Sequence, residues 1–315
     1  MNIFLVSLLI SSTFLSFIVR GTNGQSSAVV QIDEYPYMVS LHLINGGHRC
    51  TATIISWQFT LTTASCLYDS QNDVFLNSAD LRLVYGAKEM DSSLDYISQP
   101  EIEVRFVVST YIHPRFDLNN FFQNLAMLKV HAPWGERVKY AMLPEYHVGT
   151  LELPMGLRCN VVGWWSVGKC NGTKTLIPSL TNKVGNQELW QNQMLTLRTV
   201  KLHTIKTYDC SMKFSHFGHV LQNLHLCTYS SKEGNCDGDA GAPLICDHLL
   251  VGILSWGPGY KENGIAMPLV YARVDVYLEW INTVITVFAS RAVMARPSLA
   301  LLALPMLLAM LEVTL

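Results

Sequence analysis

The chain has 315 residues, half of them apolar, and 22 basic against 24 acidic side chains leave a formal charge of −2. That length can bury a large core in one or two packed units. The near balance of charge argues against nucleic acid, or an anionic membrane surface, as a partner recognised by bulk electrostatics. Ile3 to Val19 is almost wholly apolar, and Arg20 follows with small Thr22 and Gly24. Residues 1–24 therefore read as a secretory signal cleaved after Gly24. An uncleaved membrane anchor is the alternative, disfavoured by the Ser and Thr inside the run. Short alternating runs at Tyr37–Leu43, Leu81–Tyr85 and Glu101–Val108 read as half-buried strands, separated by Gly, Pro and Asn clusters. Val274 to about Ala289 has helical apolar spacing, with Trp280 and Ile281 on its inner face.

The carboxyl end carries a second address. A short polar spacer, Ser290 to Pro297, precedes Ser298 to Leu315, a run dominated by Leu, Ala and Met. Small residues, a spacer and a terminal apolar tail form the pattern of a glycosylphosphatidylinositol (GPI) signal. Attachment is expected near Ala289, Ser290 or Ala292, with Ser290 taken as the site. Pro305 and Glu312 make a permanent spanning helix costly, because a carboxylate in lipid is expensive. A retained transmembrane anchor and a soluble tail are the other two readings. The division is thus residues 1–24 signal, 25–289 folded body, 290–315 tail.

Chemistry concentrates in Gly234-Asn235-Cys236-Asp237-Gly238-Asp239-Ala240-Gly241-Ala242-Pro243. This run resembles the nucleophile loop of the trypsin-like serine proteases, whose pattern is G-D-S-G-G-P. Further landmarks occur in the family's order: Tyr35 to Leu41, Tyr111-Ile112-His113-Pro114, Cys159 to Trp164, Ser255-Trp256-Gly257 and Pro268 to Val274. The similarity spans residues 28 to 286. It implies an all-β fold of two six-stranded antiparallel barrels, over about residues 28–135 and 150–273, with a C-terminal α-helix. The family's site lies in the cleft between them.

At each catalytic position of that family the residue differs. Ala240 stands where the attacking serine is expected, and a methyl group cannot form an acyl-enzyme. Leu61-Thr62-Thr63-Ala64-Ser65-Cys66 matches L-T-A-A-H-C, so Ser65 replaces the histidine base and cannot shuttle a proton near neutral pH. Asn124, in Asn124 to Val130, replaces the buried aspartate. The resemblance makes Gly238 and Ala240 the remnant of an oxyanion hole, built from backbone N–H groups that need no serine. It makes Gly234, Ser255, Gly257 and Leu269 the remnant of the specificity pocket. Gly234 supplies no carboxylate at its base, and Leu269, in place of a glycine, is expected to narrow or block it. Asp239 matches the aspartate that pairs with a new amino terminus after activation. No convincing activation start precedes Pro36, so a substitute donor, or exposure, is expected for Asp239.

The resemblance also assigns cysteines. Of eight, it pairs Cys50–Cys66, Cys159–Cys246 and Cys210–Cys227. The family's usual partner for Cys236 is replaced by Tyr260, and the extra Cys170 makes a re-routed Cys170–Cys236 bridge the expectation, against two free or externally paired thiols. Asn171-Gly172-Thr173 is the single N-glycosylation sequon. His42, His48 and His203 show no metal-ligand spacing, His113 reads as a packing residue, and no metal or cofactor is expected. The functional expectation is a catalytically inactive homologue, secreted or at the cell surface, that binds a protein partner. An active hydrolase with a non-standard nucleophile and a degenerate paralogue without selected activity are the alternatives.

Overall fold

The computed structural model describes residues 27–91, 94–145, 155–165, 194–215, 223–229, 239–257, 261–262 and 265–294. Within these the strands are, in the first half, β1 Ala28–Val29, β2 Met38–Leu43, β3 His48–Ile54, β4 Phe59–Thr62, β5 Tyr68–Asp69, β6 Val74–Phe75, β7 Leu81–Tyr85, β8 Glu89–Met90, β9 Glu103–Ile112 and β10 Ala126–Val130. The second half contributes β11 Arg158–Trp165, β12 Leu195–Ile205, β13 His225–Tyr229, β14 Pro243–Cys246, β15 Leu249–Trp256, β16 Lys261–Glu262, β17 Ile265–Ala266 and β18 Leu269–Arg273. Helix α1 is Thr207–Phe214 and helix α2 is Leu278–Met294.

Strands β10, β4, β3, β2, β7 and β9 close into one antiparallel barrel. Strands β12, β11, β14, β15, β18 and β13 form a second, closed by the β12–β13 pairing. The two-barrel fold expected from the sequence is therefore present. Alternation builds it: Leu81, Leu83 and Tyr85 of β7 fill the first barrel, while Val84 between them points to a separate cluster with Met38, Trp164 and Leu197. Strand β12 serves two cores in succession. Leu195 and Leu197 join that inter-barrel cluster, and Val200 and Leu202 line the second barrel.

Three boundaries differ from the sequence expectation. Ala28–Val29 pairs with β12, in the second barrel rather than the first. The cause is next door: Val30 donates its N–H to Leu197 O at 3.1 Å and is buried among Leu195, Leu197 and Trp164. Strand β9 extends to Ile112, because Ser109 to Ile112 pair with β10. Helix α2 starts late and ends late. Val274 still bonds to Val251 of β15, a tight turn at Asp275–Tyr277 intervenes, and the helix continues past Ala289 to Met294.

Ile281 and Val284 of α2 are buried against Phe59, Leu61, Met127, Leu250 and Ile253, residues of both barrels. Tyr111 stacks on Phe288 with ring centroids 4.4 Å apart, and Lys129 Nζ of β10 donates to Phe288 O at 2.9 Å. No helix among the described residues is long and apolar enough to cross a membrane. Disulfides Cys50–Cys66, Cys159–Cys246 and Cys210–Cys227 are formed, as the resemblance implied. Cys170, Cys236, the sequon at Asn171 and the signal segment lie outside the described residues.

Candidate functional site

Of the sequence-predicted residues, Ser65, Asn124 and Ser255 converge where the two barrels meet. Ser65 sits in a short 3-10 turn, Ala64–Leu67, directly after β4, and Asn124 directly precedes β10. The antiparallel β4–β10 pairing brings the two together. Asn124 Nδ2 donates to Ser65 Oγ at 3.1 Å and to Ser255 Oγ at 2.8 Å, while its Oδ1 accepts the Ser65 N–H at 2.9 Å. Ser65 Oγ donates in turn to Thr63 Oγ1 at 3.2 Å. All four side chains are buried. The amide thus satisfies its neighbours as a purely neutral network, in which no group titrates near neutral pH.

Ala240 packs in the first-barrel cluster beside Ala64 and Cys66. Its carbonyl accepts the Thr51 N–H at 2.9 Å, which ties the loop to β3. Gly241 follows with φ +84°, and a Cβ there would stand 2.0 Å from Thr51 O and 2.5 Å from Thr62 Oγ1. Only a residue without a side chain lets the loop come this close.

Asp239 resolves the question of its partner. Its Oδ1 accepts the Thr51 N–H at 3.1 Å, and its Oδ2 accepts the Thr51 hydroxyl and the Trp164 N–H at 3.4 Å. His48 Nε2 stands 2.7 Å from the same Oδ2, close in distance but off the hydrogen-bond direction. The other ring nitrogen, Nδ1, shares a 2.6 Å hydrogen bond with Ser40 Oγ. Serine, histidine and aspartate therefore stand in a row. Ser40 is fully buried, however, and offers no carbonyl a route to its oxygen. The row acts as a brace for the loop.

Leu269 begins β18 and is buried with Trp165, Ala242, Leu254 and Tyr271. It lies flat on Gly257: a Cβ at 257 would meet Leu269 Cδ2 at 2.8 Å. Its side chain therefore turns toward the wall that Gly257 leaves open. Leu269→Ala is expected to lower stability by about 2–4 kcal/mol, as buried leucine truncations do. Thermal unfolding of the variant checks it, and an unchanged midpoint would mean that the leucine packs against nothing.

A profile of the family described as Trypsin matches residues 24–281. The chain belongs to the trypsin family. Cationic trypsin-3 of Rattus norvegicus is 27% identical over 255 residues, covering 80% of this chain and 85% of the relative. Trypsin of Sus scrofa is 26% identical over 254 residues, covering 79% and 90%. Trypsin of Sarcophaga bullata is 24% identical over 253 residues, covering 80% and 84%.

Within the trypsin frame, Ser65, Asn124 and Ser255 are joined by hydrogen bonds, and Ala240 lies in the same first-barrel cluster as Ser65's neighbours Ala64 and Cys66. Gly234 and Gly238 lie outside the described residues, and Ser290 falls inside the backbone of α2. His113 stands between Tyr277 and Trp280, at 5.2 and 5.1 Å, where burial lowers its pKa. It is a packing residue of α2. Among the described residues no cluster of three or more His, Cys, Asp or Glu could hold a metal. Sequence reasoning set His48 aside for lack of metal spacing and missed it as the brace of Asp239. The usable signal was physical: a carboxylate in this loop demands donors, and His48 lies on the strand of Cys50, whose disulfide partner adjoins Ser65.

Proposed function

We propose that this trypsin-family chain is not a protease but a non-catalytic binding protein, acting outside the cell or at its surface on a protein partner. The observation that carries the reading is the pairing of Ser65 with Asn124, while Ala240 packs in one cluster with Ser65's chain neighbours Ala64 and Cys66. A trypsin mechanism needs a nucleophile, an imidazole base and a carboxylate behind it. These three side chains are a hydroxyl, an amide and a methyl group, and the hydroxyl has only neutral hydrogen-bond partners. Asp239 is already held by Thr51, Trp164 and His48, which leaves it no need of a freed amino terminus. Leu269 lying on Gly257 supports a filled specificity pocket. What remains is a rigid two-barrel body, and such folds present variable loops for recognition.

The address signals complete the proposal. The amino-terminal apolar run directs the chain to the secretory pathway, consistent with its disulfides. The apolar tail serves as a GPI signal, with attachment near Ser290. Phosphatidylinositol-specific phospholipase C should release the protein from cells, and affinity capture of the released protein should recover the partner. Retention on the cells removes the lipid-anchor element.

Fluorophosphonate labelling tests the catalytic element. The native chain is expected to take no label, and Ala240→Ser is expected to take none either, because the restored hydroxyl still lacks a base. Site-specific labelling of the native chain at any serine overturns the proposal.

A further inference from the structure

The register of the first barrel puts three basic side chains in one line. On β2, His42 lies directly opposite His48 of β3 on one side and directly opposite Arg82 of β7 on the other. A bulge makes this possible. The β2–β3 register shifts between Leu41 and His42, so Arg49 is passed over and turns away to donate to Cys66 O and Tyr68 O, both at 2.6 Å. His42 is fully buried, and neither of its ring nitrogens has a hydrogen-bond partner.

Among the described residues, four groups stand against His42. His48 lies edge-on from β3, ring centroids 6.2 Å apart. Arg82 comes from β7, with its Nη2 donating to Gly46 O at 3.5 Å. Tyr96, from the tight turn Asp95–Ser98, stands 6.3 Å away, and its buried hydroxyl has no partner. Gly46, in the β2–β3 turn, presents backbone near the ring but outside hydrogen-bond geometry. Carboxylates act on these neighbours: Asp239 stands against His48, and Asp91 acts on Tyr96, while none is among the charges that act on His42. A proton on His42 thus has cations or potential cations on both flanks and no anion in contact.

We propose that residues 42–48, the tip of the β2–β3 hairpin, form a proton-sensitive latch that opens in mildly acidic solution and lets go of Asp239. The two ends of this segment are the opposed histidines, and the turn between them is short. Like charges directly opposite on neighbouring strands repel, and a buried cation without a partner is costlier still. Opening the tip gives His42 access to water and withdraws His48 from Asp239 and from Ser40. The loop bearing Ala240 is then held to β3 through Thr51 alone.

The sign follows from linkage. Burial, and then His48 and Arg82, hold the His42 pKa well below its ordinary value of 6.5. Above that value both closed and open forms are neutral at His42 and the latch is unaffected by pH. Below it, the open form takes up a proton that the closed form refuses. The open population then rises, by about fivefold in the first pH unit and approaching tenfold per unit below it, until the closed form titrates too.

Hydrogen exchange on the full chain at pH 7.5, 6.5 and 5.5, corrected for intrinsic rates, reads this directly. The backbone amides of residues 42–48 are expected to change by less than about twofold from pH 7.5 to 6.5 and to lose about fivefold from 6.5 to 5.5. His42→Phe and His42→Gln, neither of which can charge, are expected to abolish the loss, and His113→Gln, at a half-buried histidine packed against Tyr277 and Trp280, is expected to leave it in place. Protection that stays flat in the native chain, or that falls equally in either His42 variant, overturns the latch.

Discussion

Among the described glycines, Gly241→Ala is expected to be the most damaging added methyl, costing about 4 kcal/mol or more. Two penalties combine. The backbone at φ +84° is one that a residue with a side chain adopts only under strain of about 1 kcal/mol. The larger penalty is steric, because the new methyl would sit 2.0 Å from Thr51 O and 2.5 Å from Thr62 Oγ1. Neither atom can yield cheaply. Thr51 O already accepts the Thr62 hydroxyl at 2.8 Å, and the Thr51 N–H holds Ala240 O. The loop must therefore part from β3. At about 2–4 °C per kcal/mol for a body of this size, the unfolding midpoint should drop by about 10 °C. Gly156 provides the control. Its φ is +80°, yet nothing lies within 4 Å of its would-be Cβ, so Gly156→Ala should cost only the backbone strain. Equal midpoints for the two variants would show that the contact with Thr51 is not tight.

Asp239→Ala is the second large effect, at about 3–5 kcal/mol. Removing the carboxylate strips an acceptor from the Thr51 hydroxyl and from the Trp164 N–H, and leaves His48 facing a void. Buried donors without acceptors carry the full cost of leaving water. Asp239→Asn keeps one oxygen for the backbone donors and is expected to lose about half as much. Chemical denaturation of the two variants beside the native chain measures both. An alanine variant as stable as the asparagine variant would mean that the carboxylate braces little.

Much of this molecule is written in short, local patterns. The run from Leu81 to Tyr85 announces its strand, because every second side chain is large and apolar and one barrel interior receives them. Ser65, Asn124 and Ala240 are legible for a different reason. Each sits in a run whose spacing resembles the family's motifs, and the hydrogen bonds of Asn124 to Ser65 and Ser255 agree with that placement. Leu269 was half legible. Its bulk was plain in the sequence, but its direction depends on Gly257, an open surface contributed by the neighbouring strand.

Long-range register hid the rest. Asp239 needed a donor, and no local pattern points to Ser40 and His48, which lie about two hundred residues earlier in the chain. The line of His48, His42 and Arg82 exists only because a bulge at Arg49 shifts one strand by one residue. The place of Ala28–Val29 was misread for a similar reason. Two residues have no periodicity of their own, and it was the burial of Val30 beside Leu197 that sent them to the second barrel.

The last helix has a mechanical consequence. Its sequence leaves the second barrel at Arg273, yet Lys129 of the first barrel grips it at Phe288, fifteen residues farther on. Whatever pulls on the carboxyl end meets β10 before it meets β18. Load therefore enters as shear along a helix whose inner face, at Ile281 and Val284, is packed against both barrels, instead of peeling one strand from its edge.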